Sequence, residues 1–135
     1  MTLVVDASVA LKWVLPEEGA DRARRLPGSE PLAAPELLLI ECANVLTMRV
    51  RRKLLTPDEA LQALSIITSA PVRRVPSAGH VEAAQRIAIE LGQTVYDSLY
   101  LAVALAERAT FVTADTSFAA AASAHAGYAA HIRVL

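Results

Sequence analysis

Asp6, Glu41, Asp97 and Asp115 are the residues of this sequence whose type and surroundings allow chemistry. Asp6 closes Leu3-Val4-Val5, an apolar run that reads as a short buried strand, and Ala7-Ser8-Val9-Ala10-Leu11 follows with helical character. Asp115 repeats the arrangement after Thr110-Phe111-Val112-Thr113. In an open parallel sheet, ligands collect at the carboxyl ends of the strands, so both acids fall on one edge. If Glu41 and Asp97 join them, four like charges at close range demand compensation, and their titrations couple. A hard divalent cation supplies that compensation economically. Mg²⁺ prefers oxygen, keeps several waters, and needs only one or two direct carboxylates plus a substrate phosphate. Such a site orients a water, lowers its pKa and stabilises the leaving oxygen of a phosphodiester.

Each acid also has a plainer reading. Asp115 suits the N-cap of the helix after it. Asp97 closes Thr94-x-x-Asp97, itself a capping-box pattern, in a first turn where the dipole favours an acid. Glu41, inside Leu37-Leu38-Leu39-Ile40-Glu41-Cys42-Ala43-Asn44-Val45-Leu46, lies either on a solvent stripe or in a buried position that needs a cation or a raised pKa. Asn44 is one helical turn on and shares its face. Asp6 is the hardest to dismiss, because a core strand seldom ends in an acid without a use for it.

The elements that must position these residues alternate between strand and helix. A helix is expected over Ser8–Leu15, stopped by Pro16, and a second over Gly19–Leu26, stopped by Pro27-Gly28. Leu32-Ala33-Ala34 reads as a brief strand before Pro35. A long helix follows from about Glu36 to Lys53, with Arg49, Arg51, Arg52 and Lys53 crowding its last turn. Thr56-Pro57-Asp58-Glu59 is a capping box opening a helix that ends before Pro71. Val72–Val75 reads as a strand. His80–Leu91 is helical, with Gly92 as a left-handed cap. The helix opened by Thr94 continues to about Arg108, with Tyr96, Leu99, Tyr100 and Val103 on a buried-looking surface. Thr116 to about Ala126 is an Ala-rich helix, and Ile132-Arg133-Val134 a last strand. The expected fold is one α/β domain over residues 1–135, with a mostly parallel sheet covered by helices on both faces.

Composition agrees with this and narrows the function. The chain of 135 residues is long enough for a real core. It is 54% hydrophobic with a mean hydropathy of +0.37 but only 4% aromatic, so Leu, Val, Ile and Ala must build that core. The apolar surplus fits either a well-covered parallel sheet or a contact surface such as a homodimer's. A net charge of -1 excludes a general nucleic-acid coat, though not local basic patches. A single cysteine, Cys42, rules out a disulfide framework within the chain and fits a reducing compartment. With no signal-peptide pattern and no apolar run long enough to span a bilayer, a cytoplasmic protein is expected.

Val4-Val5-Asp6-Ala7-Ser8, Glu41 with Asn44, Tyr96-Asp97-Ser98-Leu99-Tyr100-Leu101-Ala102 and Thr113-Ala114-Asp115-Thr116-Ser117-Phe118 together resemble the PIN-domain nucleases. Length and order are similar to the VapC branch, the toxins of type II toxin–antitoxin pairs. The resemblance spans nearly the whole chain. It implies a three-layer sandwich around a parallel sheet of about five strands. The implied activity is that of a Mg²⁺- or Mn²⁺-dependent endoribonuclease. Asp6, Glu41, Asp97 and Asp115 match the family's acidic quartet, while Ser8, Asn44 and Thr113 match positions that support it by hydrogen bonding. Asp6, Asp97 and Asp115 are then expected to hold the metal, directly or through water, with Glu41 completing the shell or positioning the attacking water. Some members add a further acid shortly after the fourth; here Ser117 and Phe118 occupy that neighbourhood, which leaves a second metal open. Homodimers silenced by a cognate antitoxin are common in the family. An antitoxin is expected to offer an apolar helix and an Arg for the acidic pocket.

RNA would be held by phosphate contacts, with Arg49, Arg51, Arg52 and Lys53, and also Arg73 and Arg74, as candidates against a plain reading as solvated charges. Other chemistries fit less well. A haloacid-dehalogenase-type phosphatase wants a second Asp two residues after Asp6, where Ser8 stands. A receiver domain needs a lysine late in the sheet, and the only lysines are Lys12 and Lys53. The scattered glycines form no phosphate loop, and His80, His125 and His131 show no zinc spacing with Cys42. The rival reading is a catalytically silent PIN-like module that binds RNA or protein, which an intact acidic quartet argues against.

Overall fold

The structure, a computed structural model, describes all of residues 1–135. Strand β1 (Leu3–Val5) is flanked by β2 (Leu32–Pro35) and β4 (Thr110–Thr113), with β3 (Val72–Val75) and β5 (Ile132–Val134) at the edges. All pairings are parallel, in the order β3-β2-β1-β4-β5. The chain therefore builds outward from β1 through β2 to β3, crosses back to β4, and continues to β5. That makes the gap between β1 and β4 the topological switch point, where an open α/β sheet leaves a crevice beyond its strand ends.

Alternation along the strands sorts the core into two faces. Val4 and Phe111 point to one side, beneath Leu38, Leu46, Leu101 and Phe118. Leu3, Val5 and Val112 point to the other, beneath Val9, Ala23 and Leu26. The helices are α1 (Ala7–Ala10), α2 (Ala20–Ser29), α3 (Leu37–Arg51), α4 (Pro57–Ser69), α5 (Val81–Leu91), α6 (Val95–Ala106) and α7 (Thr116–Ser123). The three-layer α/β arrangement is the one anticipated.

Several boundaries differ, each for a local reason. The first helix tightens after Ala10 into a 3₁₀ turn at Leu11–Trp13 and is over before Leu15. Helix α2 runs on through Pro27 and Gly28 to Ser29. Pro27 has no N–H for the Ala23 carbonyl, and the Trp13 indole N–H donates to that oxygen at 2.9 Å instead. Pro35 ends β2 opposite Val75 rather than opening a helix. Left-handed Lys53 (φ 60°) and Arg108 (φ 53°) lie just beyond the ends of α3 and α6, which stop at Arg51 and Ala106. Residues Ala78–His80 form a 3₁₀ turn ahead of α5, and α7 ends at Ser123. The Thr56–Glu59 capping box and the left-handed Gly92 (φ 64°) are as the sequence dictates.

Candidate active site

Asp6 follows the last residue of β1, and Thr113 ends β4 beside it, since Val5 pairs with Val112. The Thr113 hydroxyl donates to Asp6 Oδ2 at 2.6 Å, and the Ser8 hydroxyl donates to Oδ1 at 2.5 Å. Oδ1 also accepts from the Val9 N–H at 3.2 Å, so Asp6 caps α1. The same two hydroxyls fix the other strand end: Ser8 Oγ accepts from the Ala114 N–H and Thr113 Oγ1 from the Asp115 N–H. Asp115 in turn accepts from the Phe118 N–H through Oδ1, capping α7 and leaving Oδ2 unengaged. Capping and site-building are thus one arrangement: the bond that starts each helix also aims each carboxylate.

Glu41 is half-buried on α3, and its Oε1 accepts from the hydroxyl of Tyr100 on α6. Tyr100 is buried and its ring stacks on Phe111 with centroids 5.7 Å apart; Phe111 meets Phe118 edge-on at 5.8 Å. Asp97 stands in the first turn of α6, where Thr94 Oγ1 accepts from its backbone N–H. No bond returns from its carboxylate to the Thr94 N–H, so the capping box anticipated here is half-made. Tyr96 beside it is exposed rather than buried, whereas Leu99, Tyr100 and Val103 lie in the core.

The electrostatics tie the acids together. Burial raises the pKa of Asp6, against the hydrogen bonds from Ser8, Thr113 and Val9, and the charge of Asp97 adds to the rise. Glu41 is raised by burial, against the Tyr100 bond, and further by Asp97 and Asp6. Asp97 is raised by burial, with Thr94 opposing and Asp115 adding. The buried Cys42 thiol is pushed up to about 12, by burial and then by Glu41 and Asp6. No Lys or Arg pairs with any of the four acids. They form a linked set of like charges with no cation of the protein's own.

Of the supporting residues, Ser8 and Thr113 bond directly to Asp6. Asn44 does not reach a carboxylate: it is exposed, and its amide lies 3.9 Å from Met48 Sδ. The basic candidates stand apart. Arg49 is paired with Glu17 at 2.9 Å. Arg51, Arg52 and Lys53 are exposed at the far end of α3, about 15 Å along its axis from Glu41. Arg73 is paired with Glu107, and Arg74 donates to the Thr68 carbonyl. Nothing in the sequence alone marks Tyr100 as a site residue. Its position one turn after Asp97 placed it near the acids, but only the fold shows its hydroxyl meeting Glu41.

The PIN-domain profile matches residues 3–124, which include all four acids. The chain belongs to the PIN-domain family. Ribonuclease VapC3 of Pyrobaculum aerophilum is 34% identical over 122 residues, covering 88% of this chain and 93% of that protein. Among solved structures, PAE2754 from Pyrobaculum aerophilum superposes with a TM-score of 0.73 at 25% identity, covering 90% of this chain and 79% of that one. Mycobacterium tuberculosis VapC20, described as a sarcin–ricin loop cleaving toxin, superposes at 0.67 with 23% identity, covering 88% and 94%. Within the family, the chain falls in the VapC branch.

The donor set here is entirely oxygen: carboxylates, that of Asp6 flanked by the Ser8 and Thr113 hydroxyls. Such a set fits a hard cation. No three acidic, His or Cys side chains are drawn closely enough around one point to chelate an ion by themselves. The arrangement therefore suits an ion that keeps much of its water and takes few direct carboxylates.

Proposed function

We propose that this protein is a Mg²⁺- or Mn²⁺-dependent endoribonuclease, the toxin of a type II toxin–antitoxin pair. One observation carries the reading: Asp6, Glu41 and Asp97 are raised by burial and by neighbouring acids, Asp115 adds to the rise at Asp97, and none of the four has an ion-pair partner. Membership of the VapC branch supports the substrate class and the antitoxin partner.

Asp6, Asp97 and Asp115 are the residues that would hold the cation. Ser8 and Thr113 keep Asp6 fixed; Oδ1 is occupied by Ser8 and the Val9 N–H, so Oδ2, bonded only by Thr113, is the oxygen with a lone pair left for a ligand. When bound, the cation offsets the acids' repulsion, acidifies a water and stabilises charge on the leaving oxygen. Glu41 has Oε1 committed to Tyr100 and Oε2 free, so Oε2 orients the attacking water and accepts its proton. Burial strengthens Glu41 as a base, because it raises the carboxylate's proton affinity. As the water oxygen bonds to phosphorus, the bond to the departing nucleotide's oxygen breaks; a solvent proton completes that leaving hydroxyl, and Glu41 returns the proton it took to solvent.

In this reading the protein acts in the cytoplasm, where the unpaired Cys42 suits a reducing compartment. The exposed Ile40, Leu61, Ile66, Ile89 and Tyr96 support apolar contacts with a second copy and with an antitoxin helix. The test is cleavage of an end-labelled single-stranded RNA. Cleavage should need Mn²⁺ or Mg²⁺, stop with a chelator, and fall about 100-fold or more in Asp6→Ala. Undiminished cleavage by Asp6→Ala would refute the assignment of these acids.

A further inference from the structure

A cavity of about 220 Å³ adjoins the acids on one side, lined by Lys12, Glu18, Arg22, Ala114 and Thr116 beside the β5 end. Ala114 and Thr116 are the chain neighbours of Asp115. Lys12 lies one helical turn beyond Ser8, which bonds Asp6. The cavity therefore adjoins the end of β4, the strand end that also carries Asp115.

The lining carries two cations, Lys12 and Arg22, against the one side-chain carboxylate of Glu18, whereas the acidic site has no cation of its own. Lys12 is largely buried, with its ammonium donating to the Glu18 carbonyl at 2.7 Å and 3.9 Å from Glu17. Glu17 is itself taken by Arg49 at 2.9 Å, so it offsets the Lys12 charge only in part. Arg22 forms no ion pair. Its guanidinium lies over Gly19, where an added Cβ would come within 3.1 Å of Arg22 Nη2. The left-handed backbone (φ 81°) calls for glycine there. Thr116 opens α7, whose capping carboxylate takes the Phe118 N–H, leaving the preceding first-turn donors free at the positive end of the helix.

We propose that this cavity is a subsite for an RNA phosphodiester group next to the one cleaved. Arg22 and Lys12 supply the charge, and the Thr116 hydroxyl with the start of α7 supplies neutral donors. The subsite rests on the endoribonuclease reading, and it resolves a difficulty in it: a pocket of four acids repels a polyanion, and cations beside it anchor the strand against that repulsion. Such contacts position the backbone and carry no base preference.

The experiment measures RNA cleavage and fluorescence-anisotropy binding for wild type, Arg22→Gln, Thr116→Ala and Arg25→Gln. Arg25 is exposed on the same helix and outside the cavity, so it controls for lost net charge. Arg22→Gln should raise KM and the dissociation constant about 10-fold, keep kcat within about 2-fold, and lower the salt-dependence slope by about one phosphate contact. Thr116→Ala should act in the same direction more weakly, and Arg25→Gln should change little. Inorganic phosphate should compete with RNA in wild type and less so in Arg22→Gln. Equal losses in Arg22→Gln and Arg25→Gln, or none in Arg22→Gln, would overturn the subsite while leaving the nuclease assignment intact. A wild type that binds RNA through Arg22 but cleaves none would instead refute the nuclease reading, and with it the subsite's place beside a cleaved bond, leaving Arg22 as an RNA-phosphate contact only.

Discussion

Asp97 shows how one side chain serves two purposes that pull against each other. Its position in the first turn of α6 favours a negative charge, yet burial and Asp115 disfavour it. Asp6, Glu41 and Asp97 all have folded pKa values above their ordinary ones. A group raised in this way contributes stability below its unfolded pKa and loses it as pH rises through the folded value. The metal-free protein should therefore lose stability as pH climbs from about 4 towards neutrality. Asp97→Asn removes one of these charges and should melt a few degrees higher than wild type at pH 7 without metal, with the gap closing near pH 4. Thermal denaturation followed by circular dichroism checks this; a lower melting temperature for Asp97→Asn at pH 7 would show that the charge is stabilising. The sequence made the four acids legible because each interrupts an apolar run or opens a helix. Asn44 was misleading, since shared helical face with Glu41 does not ensure a shared partner, and the exposed amide finds Met48 instead.

Helix α6, strand β4 and helix α7 are bound by the stack Tyr100–Phe111–Phe118, and that stack reaches a site carboxylate at each end. The Tyr100 hydroxyl holds Glu41, and the Phe118 N–H holds Asp115. Few aromatics were available, and three of them are spent here. Tyr100→Phe keeps the stack but frees Glu41, so kcat should fall about 10-fold with KM for RNA unchanged. In a Glu41→Gln background the same change should cost far less, because the two residues act as a unit. Fully additive losses in single-turnover cleavage would mean that Tyr100 acts elsewhere. Alternation of strand and helix, the caps at Thr56 and Gly92 and the buried β1 were all readable from local pattern. The extension of α2 through Pro27 was not, because it depends on Trp13 reaching the Ala23 carbonyl from another element. Nor could local pattern assign Pro35, whose place in β2 is set by pairing with Val75.

Seen whole, the molecule places opposite charges side by side at one edge of a neutral protein. The net charge of -1 hides this division, which is why composition gave no sign of a nucleic-acid partner. The basic tail of α3, the obvious patch in the sequence, lies a helix-length from the acids, whereas Lys12 and Arg22 lie next to them. Parallel order explains the difference: every strand end comes to the same edge, and residues just after β1 and β4 are brought together from opposite ends of the chain. The central claim is that these converging acids form a cation site. Isothermal titration of Mn²⁺ into wild type and Asp97→Asn tests it most directly, since the exchange keeps side-chain size and removes one charge. Binding by wild type with at least about a 10-fold loss in Asp97→Asn is the predicted result. Equal affinity in the two proteins, or none in wild type even with a nucleotide phosphate present, would contradict it and return Asp97 to the role of a first-turn acid.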